Sequence, residues 1–178
     1  MLATRVRLLE RLRNTQEHLS LHGYIEPQTG VWGKHVLLAR TAEELAYARR
    51  HDYPVSCAVV CINNLQNINA EQGYESGDIV LRETARILRH CIRRSDFLSR
   101  SAGNEFTILL RQCNGEQAAE TLKRIHTRIH ENKVFDGRRT IRADVSWGAA
   151  CTNETETNIS ADQLVAKAAQ RAKQEPDS

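Results

Sequence analysis

The residues best placed to do chemistry form a short stretch, residues 100–106, with the sequence RSAGNEF. The segments on either side, residues 96–100 and 106–110, are short enough for strands, and the second is apolar and β-prone. The small and turn-prone residues between them favour a tight hairpin. The sequence therefore predicts a hairpin whose tip presents an amide, Asn104, beside a carboxylate, Glu105, where a ligand could be held. An ordinary surface turn is the alternative.

The periodicity of the apolar residues predicts the elements that must position this hairpin. Helices are expected over residues 2–21, 34–50, 78–93, 116–131 and 160–173, and strands over residues 55–62, 96–100, 106–110, 134–135 and 140–150. Residues 55–62 are small and β-branched without alternation, which is typical of a strand buried on both faces. The predicted fold is α/β, a mixed central sheet flanked by helices. It has the β-α-β-β-α-β core of ferredoxin-like and nucleotide-cyclase palm folds, with an extra N-terminal helix.

Length and composition exclude several classes of protein. The chain has 178 residues, 25 basic against 22 acidic, and no basic tract interleaved with aromatics, which argues against nucleic-acid binding. No apolar run reaches membrane-spanning length, and the first residues lack the apolar core of a signal peptide. The five cysteines are odd in number and never spaced as CxxC, so we expect reduced thiols in a cytoplasmic protein.

The predicted elements divide the chain into three parts. Residues 1–24 are expected to form an amphipathic helix, which either packs on its own domain or supports a homodimer. Residues 25–174 form the domain itself. Residues 175–178 are a polar tail, in which Pro176 does not continue the last helix.

Six short motifs occur in order along residues 26–173. They are Pro27-Gln28-Thr29-Gly30-Val31, Ile68-Asn69-Ala70 with Gly73 and Gly77-Asp78, Arg93-Arg94-Ser95-Asp96, Ala102-Gly103-Asn104-Glu105-Phe106, Ser146-Trp147-Gly148-Ala149, and Ala172-Lys173. In this order they resemble the PLTGL, IND…G…GD, RxxD, signature, SiGva and AK motifs of the GGDEF family. That family comprises the diguanylate cyclases, which join two GTP molecules into cyclic di-GMP.

The resemblance implies a site for two magnesium ions, and two of its positions depart from the family. Cys61 stands where the family has an Asp at the end of the first strand, and Asn104 stands at the third signature position. Magnesium prefers anionic oxygen ligands, whereas a thiol is soft and an amide is neutral. One unit charge at close range is worth roughly 4 kcal/mol at an effective dielectric near 20. With Glu105 alone remaining, the sequence predicts no cofactor, no tightly bound Mg²⁺ and a degenerate family member that is not an enzyme.

Other residues of the family's nucleotide site are present. Asn69 and Asp78 match the pair that recognises guanine, and Lys173 matches a phosphate-binding lysine. An amide and a carboxylate can together read the guanine edge, so GTP is a possible ligand. The alternative is that Asn69 caps a turn and Asp78 caps the next helix.

Arg93 and Asp96 match the family's inhibitory site, which binds cyclic di-GMP. An arginine can grip a phosphate or the Hoogsteen edge of guanine, and a carboxylate can accept from guanine N1 and N2. By the family's spacing Arg124 completes the site, with Arg128 as the alternative. A surface ion pair is the competing interpretation.

The sequence therefore predicts a cyclic di-GMP receptor that relays its signal to an unidentified protein partner. Three alternatives remain open. They are a protein-interaction module with inert nucleotide sites, a GTP-binding regulatory domain and a residual enzyme.

Overall fold

The fold is taken from a computed structural model, which describes residues 24–154 and 158–174. Within these ranges the helices are α1 (Lys34–His51), α2 (Leu65–Gln72), α3 (Tyr74–Cys91), α4 (Gly115–Glu131) and α5 (Ala161–Gln174). The strands are β1 (Trp32–Gly33), β2 (Ser56–Ile62), β3 (Phe97–Ala102), β4 (Glu105–Leu110), β5 (Val134–Phe135), β6 (Thr140–Ile141) and β7 (Val145–Cys151). The predicted first helix and the tail lie outside the described residues.

Five strands form one mixed sheet in the order β1-β3-β4-β2-β7. β1 pairs with β3 in parallel, and every other pairing in the sheet is antiparallel. Strands β5 and β6 form a separate antiparallel pair. The prediction of a mixed central sheet flanked by helices is confirmed.

Strand β2 separates the two hydrophobic cores of the domain. All seven of its residues are buried, as the unbroken apolar run predicted. Alternate residues Ala58, Val60 and Ile62 join the core that also contains the buried faces of α3 and α4. Cys57, Val59 and Cys61 point the other way, into the core shared with α1 and α5.

Helix α2 was not predicted, and its short length explains the omission. Only Leu65 and Ile68 of its eight residues are buried, so the apolar stripe is too brief to show a helical period. Gly73, at φ +92°, separates α2 from α3. Helix α3 therefore begins at Tyr74, four residues before the predicted start.

The predicted long strand over residues 140–150 is two strands that belong to different sheets. Residues 142–144 are not part of either sheet, because the side chain of Asn64 hydrogen-bonds to their backbone at both ends. Its Nδ2 donates to the carbonyl oxygen of Arg142 at 2.9 Å, and its Oδ1 accepts from the backbone N–H of Asp144 at 2.9 Å. The alternation of polar and apolar residues did not reveal this break.

All five cysteines are buried and free of disulfide bonds, as expected for reduced thiols. None of the helices in residues 24–154 and 158–174 is both long and apolar enough to cross a membrane.

Candidate functional site

The tip of the β3–β4 hairpin is attached to the end of β2. Asn104 makes both connections, because its carbonyl oxygen accepts from the N–H of Ile62 at 2.9 Å and its side-chain Nδ2 donates to the Ile62 carbonyl at 2.9 Å. Glu105 pairs with Cys61 in the antiparallel register. The structure thus brings Cys61, Asn104 and Glu105 together at one end of the sheet, as the resemblance implied.

The thiol of Cys61 lies in a setting that keeps it protonated. Burial and, to a smaller extent, the nearby negative charge of Glu105 raise its pKa to about 11, with Lys173 on α5 partly offsetting both effects. Lys173 therefore lies close to this end of the sheet, and its phosphate-binding role stays a prediction.

The donor atoms at the hairpin tip do not fit a magnesium ion. A protonated thiol, a neutral amide and one carboxylate lack the anionic oxygen shell that Mg²⁺ prefers. Among the residues that the structure describes, no three His, Cys, Asp or Glu side chains are grouped so as to hold a metal ion. Weak binding of Mg²⁺ therefore stays a prediction.

Asn69 and Asp78 lie on either side of the short connection between α2 and α3. Asp78 is the fifth residue of α3 and not its N-cap, so the interpretation of Asp78 as a helix cap is wrong. The Oδ1 atom of Asn69 is buried, and no hydrogen-bond partner for it is found in the described part of the chain. An unsatisfied buried acceptor costs roughly 1–3 kcal/mol, so this atom favours a ligand that donates to it.

Gly77 lets the side chain of Asn69 reach this position. A Cβ at residue 77 would lie 1.9 Å from Asn69 Oδ1, well inside van der Waals contact. The glycine of the motif therefore makes room for the amide that precedes it.

The opening segment, residues 26–30, contacts both Asp78 and the hairpin. The Nε2 of Gln28 donates to Asp78 Oδ1, and the Oε1 of Gln28 accepts from Arg100 Nη1. Arg100 also pairs with Glu26 at 3.1 Å and donates to the carbonyl oxygen of Gly103 at 2.6 Å. Sequence reasoning missed this network because Arg100 lies 72 residues from Gln28.

Glu26 makes the opening segment sensitive to acid. Burial by itself raises its pKa, but hydrogen bonds from Thr29 and Gln28 and the charge of Arg100 outweigh burial and lower the pKa below 4.5. A lowered folded-state pKa stabilises the fold above the unfolded value, and that stabilisation is lost as pH falls through the folded value. We expect Glu26→Gln to lower the free energy of unfolding at pH 7, by an amount that shrinks below pH 4.5.

Denaturant unfolding at several pH values measures this difference. Glu71→Gln, at an exposed position on α2, is the matched control and should show no such trend. If the loss of unfolding free energy in Glu26→Gln stays constant down to pH 3, the lowered pKa assigned to Glu26 is wrong.

Arg93 and Asp96 form a tight turn between α3 and β3. The Asp96 carboxylate accepts from the backbone N–H of Arg93 at 2.8 Å and from that of Arg111 at 3.2 Å. The N–H of Asp96 in turn donates to the Arg93 carbonyl at 3.0 Å. An ionised carboxylate offers about four acceptor positions, so Asp96 keeps capacity for a ligand.

A cavity of about 240 Å³ opens beside this turn, between the end of β4 and helix α4. We call it the arginine cavity, because Arg93, Arg111 and Arg124 line it together with Asp96. Arg124 Nη2 donates to the Cys91 carbonyl at 2.8 Å, which holds the guanidinium at the wall.

The structure corrects the predicted set of arginines at two positions, Arg128 and Arg111. Arg128, the alternative to Arg124, does not line the arginine cavity, so the geometry favours Arg124. Arg111 was missed. It pairs with Glu44 of α1 at 2.7 Å, a contact between residues too far apart in sequence to predict.

Comparison with known proteins establishes the family. The family model for the diguanylate cyclase GGDEF domain matches residues 24–177, so the chain belongs to the GGDEF family, as the motifs predicted. Diguanylate cyclase DosC of Escherichia coli is 27% identical over 148 residues, which are 82% of this chain and 32% of DosC. The chain thus spans about a third of the length of that relative.

Two solved structures share the fold. The diguanylate cyclase SiaD of Pseudomonas aeruginosa, in complex with its activator SiaC, is 25% identical with a TM-score of 0.79, covering 97% of this chain and 67% of SiaD. The coiled coil and GGDEF domain of DgcB from Caulobacter crescentus, in complex with cyclic di-GMP, is 19% identical with a TM-score of 0.86. That match covers 97% of this chain and 90% of the DgcB chain.

The prediction that the chain is not an enzyme is contradicted by these relatives. DosC, and other relatives of similar identity from Shewanella oneidensis and Pseudomonas aeruginosa, are named diguanylate cyclases. The prediction rested on the ligand chemistry of Cys61 and Asn104 alone. The same end of the sheet also holds Glu105, with Lys173 near it, and two substituted positions do not remove the chain from a family of cyclases.

Proposed function

We propose that this chain is a GGDEF domain that binds cyclic di-GMP in the arginine cavity. The observation that carries the proposal is the convergence of Arg93, Asp96 and Arg124 on one cavity of about 240 Å³. Because Arg93 lies in the α3–β3 turn and Arg124 lies on α4, two separate elements can engage one ligand at two points. The cyclic di-GMP bound by the DgcB domain of the same fold supports the choice of ligand.

The chemistry of the cavity suits a ligand with two phosphates and two guanines. Arginine donors match phosphate oxygens and the Hoogsteen edge of guanine, while the carboxylate of Asp96 can accept from guanine N1 and N2. The Arg111 guanidinium adds positive charge at the cavity wall. Glu120 is also in the wall, so the cavity is positive without being uniformly so.

A route by which the bound ligand could be sensed elsewhere runs through Arg111. This side chain lines the arginine cavity, and it also pairs with Glu44 of α1 at 2.7 Å. Glu44 is buried and accepts from Tyr53 Oη at 2.6 Å. A movement of Arg111 would therefore displace a side chain that is packed within α1. We propose that the signal passes through α1 to a protein partner in the cytoplasm. SiaD with its activator SiaC is an example of a similar domain that has a protein partner.

A guanine-nucleotide site at Asn69 and Asp78 is a second candidate function. The buried, unpartnered Oδ1 of Asn69 favours it, because a guanine edge brings donors that could satisfy this acceptor. The role is that of the family's GTP site, and homodimer formation through residues 1–24 remains a separate prediction.

Calorimetric titration with cyclic di-GMP tests the first proposal. We expect the wild-type protein to bind, and Arg93→Ala or Arg124→Ala to weaken binding by at least about tenfold. That change corresponds to the loss of one hydrogen bond to a charged group. Each variant should retain its thermal unfolding midpoint within a few degrees.

Arg94→Ala is the matched control, since Arg94 is an exposed neighbour of Arg93 that does not line the arginine cavity. It should bind as the wild type does. Folded wild-type protein that gives no heat at high micromolar cyclic di-GMP would remove the proposal, as would equal weakening by Arg94→Ala and Arg93→Ala.

A further inference from the structure

Gln28 occupies the carboxylate that would read a guanine base. Its Nε2 donates to Asp78 Oδ1, and this amide N–H is the same kind of donor that guanine offers from N1 and its exocyclic amine. Guanine N1 and its exocyclic amine would together use both oxygens of the carboxylate, and Oδ1 is already engaged by the Gln28 amide. The contact therefore competes with base recognition at Asp78.

The side chain of Gln28 is held in this position from its other end. Its Oε1 accepts from Arg100 Nη1, and Arg100 is only 10% exposed. Arg100 is itself anchored by Glu26 at 3.1 Å and by two bonds to the carbonyl oxygen of Gly103, at 2.6 and 3.0 Å. Gln28 is thus locked between the hairpin and α3.

Further hydrogen bonds hold the residues next to Gln28 in the opening segment. Thr29 donates to Glu26 Oε2 through both its N–H, at 3.0 Å, and its hydroxyl, at 2.5 Å. The carbonyl oxygen of Gly30 accepts from Arg89 of α3. These bonds restrict the backbone on either side of Gln28, so they favour the position in which its side chain meets Asp78.

The neighbouring acceptor, Asn69 Oδ1, is buried and lacks a donor among the described residues. Gln28 donates to one oxygen of Asp78 and not to Asn69, so it reproduces only part of what a guanine edge would supply. The guanine edge carries several N–H donors, enough for a nucleotide that displaced Gln28 to serve both side chains.

We propose that Gln28 is a built-in competitor for Asp78, and that a guanine nucleotide binds only after the opening segment releases this carboxylate. The motif resemblance aligns Gln28 with the leucine of PLTGL, and a leucine has no donor to offer Asp78. The competition is therefore a property of this chain's own substitution. The inference rests on the second candidate function and is independent of the arginine cavity.

Titration with GTP, and with ATP as the control nucleotide, tests this inference. We expect Gln28→Leu to bind GTP about tenfold more tightly than the wild type, the size expected for releasing one hydrogen bond to a charged acceptor. The gain should disappear when Asp78→Ala is combined with Gln28→Leu, because no carboxylate then remains to compete for. Gln170→Leu, at an exposed position on α5, should leave GTP binding unchanged.

The wild-type protein provides an independent readout. The side-chain amide resonances of Gln28 in a ¹H–¹⁵N spectrum should shift as GTP is added. Equal or weaker GTP binding by Gln28→Leu would overturn the inference, as would unchanged Gln28 resonances at saturation or no GTP binding by either protein at millimolar concentration. Cyclic di-GMP titrated into the same samples tests the arginine cavity, so a failure of that first proposal is seen separately from a failure of this inference.

Discussion

Gly148→Ala should be the most destabilising single-methyl substitution that we identify in the sheet. Gly148 lies in β7 against α5, and a Cβ there would meet the backbone N of Ala172 at 2.2 Å, the carbonyl oxygen of Ala168 at 2.6 Å and the carbonyl carbon of Arg171 at 2.6 Å. All three atoms are backbone, so no side chain can rotate away. We expect a loss of about 3 kcal/mol in the free energy of unfolding, at the upper end for overpacking.

Thermal unfolding measures the effect as a fall in the midpoint. For a domain of this size, about 3 kcal/mol corresponds to roughly 6–12 °C. Gly103→Ala is the matched control, because nothing lies within 4 Å of a Cβ at that hairpin position. A Gly148→Ala midpoint equal to that of Gly103→Ala would show that α5 does not pack on β7 as closely as described. The same contact gives a physical reason for the glycine in the Ser146–Ala149 motif.

Asp96→Ala should affect both stability and ligand binding. Its carboxylate accepts from two backbone N–H groups, of Arg93 at 2.8 Å and of Arg111 at 3.2 Å, and these bonds join the α3–β3 turn to the end of β4. Hydrogen bonds to a charged group contribute roughly 1.5–3 kcal/mol each, and water can replace part of this at a partly exposed site. We expect a loss of about 3 kcal/mol in unfolding free energy and more than a tenfold loss in cyclic di-GMP affinity.

Arg93→Ala separates the two effects within the same turn. It removes a cavity guanidinium but keeps the backbone N–H that Asp96 binds, so affinity should fall while stability stays near that of the wild type. Chemical denaturation and calorimetry on both variants make the comparison. Unchanged stability in Asp96→Ala would contradict the structural part of this account, and unchanged affinity in both variants would contradict the binding part.

The main architecture could be predicted from local patterns. The unbroken apolar run of β2 predicted a strand buried on both faces, and the helical stripes predicted α1, α4 and α5 closely. Strand β1 was missed because two residues, Trp32 and Gly33, carry no periodicity. The break between β6 and β7 was missed because it depends on Asn64, which lies 78 residues before Arg142.

Of the candidate site, too, the sequence predicted some residues and missed others. The family resemblance singled out Arg93, Asp96 and Arg124, and the structure brings all three to the wall of the arginine cavity. Arg111 was missed because its significance arises from a contact with Glu44, which no motif records. The Gln28 network was missed because Asp78 and Arg100 meet Gln28 only after the chain has folded.

The position of bound cyclic di-GMP tests the central claim most directly. In ¹H–¹⁵N spectra recorded during a cyclic di-GMP titration, we predict that shifts concentrate in residues 91–96, 110–113 and 117–124, which contain the cavity wall. Resonances of residues 69–78 should change little. No shifts at saturating ligand, or shifts confined to residues 26–30 and 69–78, would contradict the assignment of the arginine cavity as the cyclic di-GMP site.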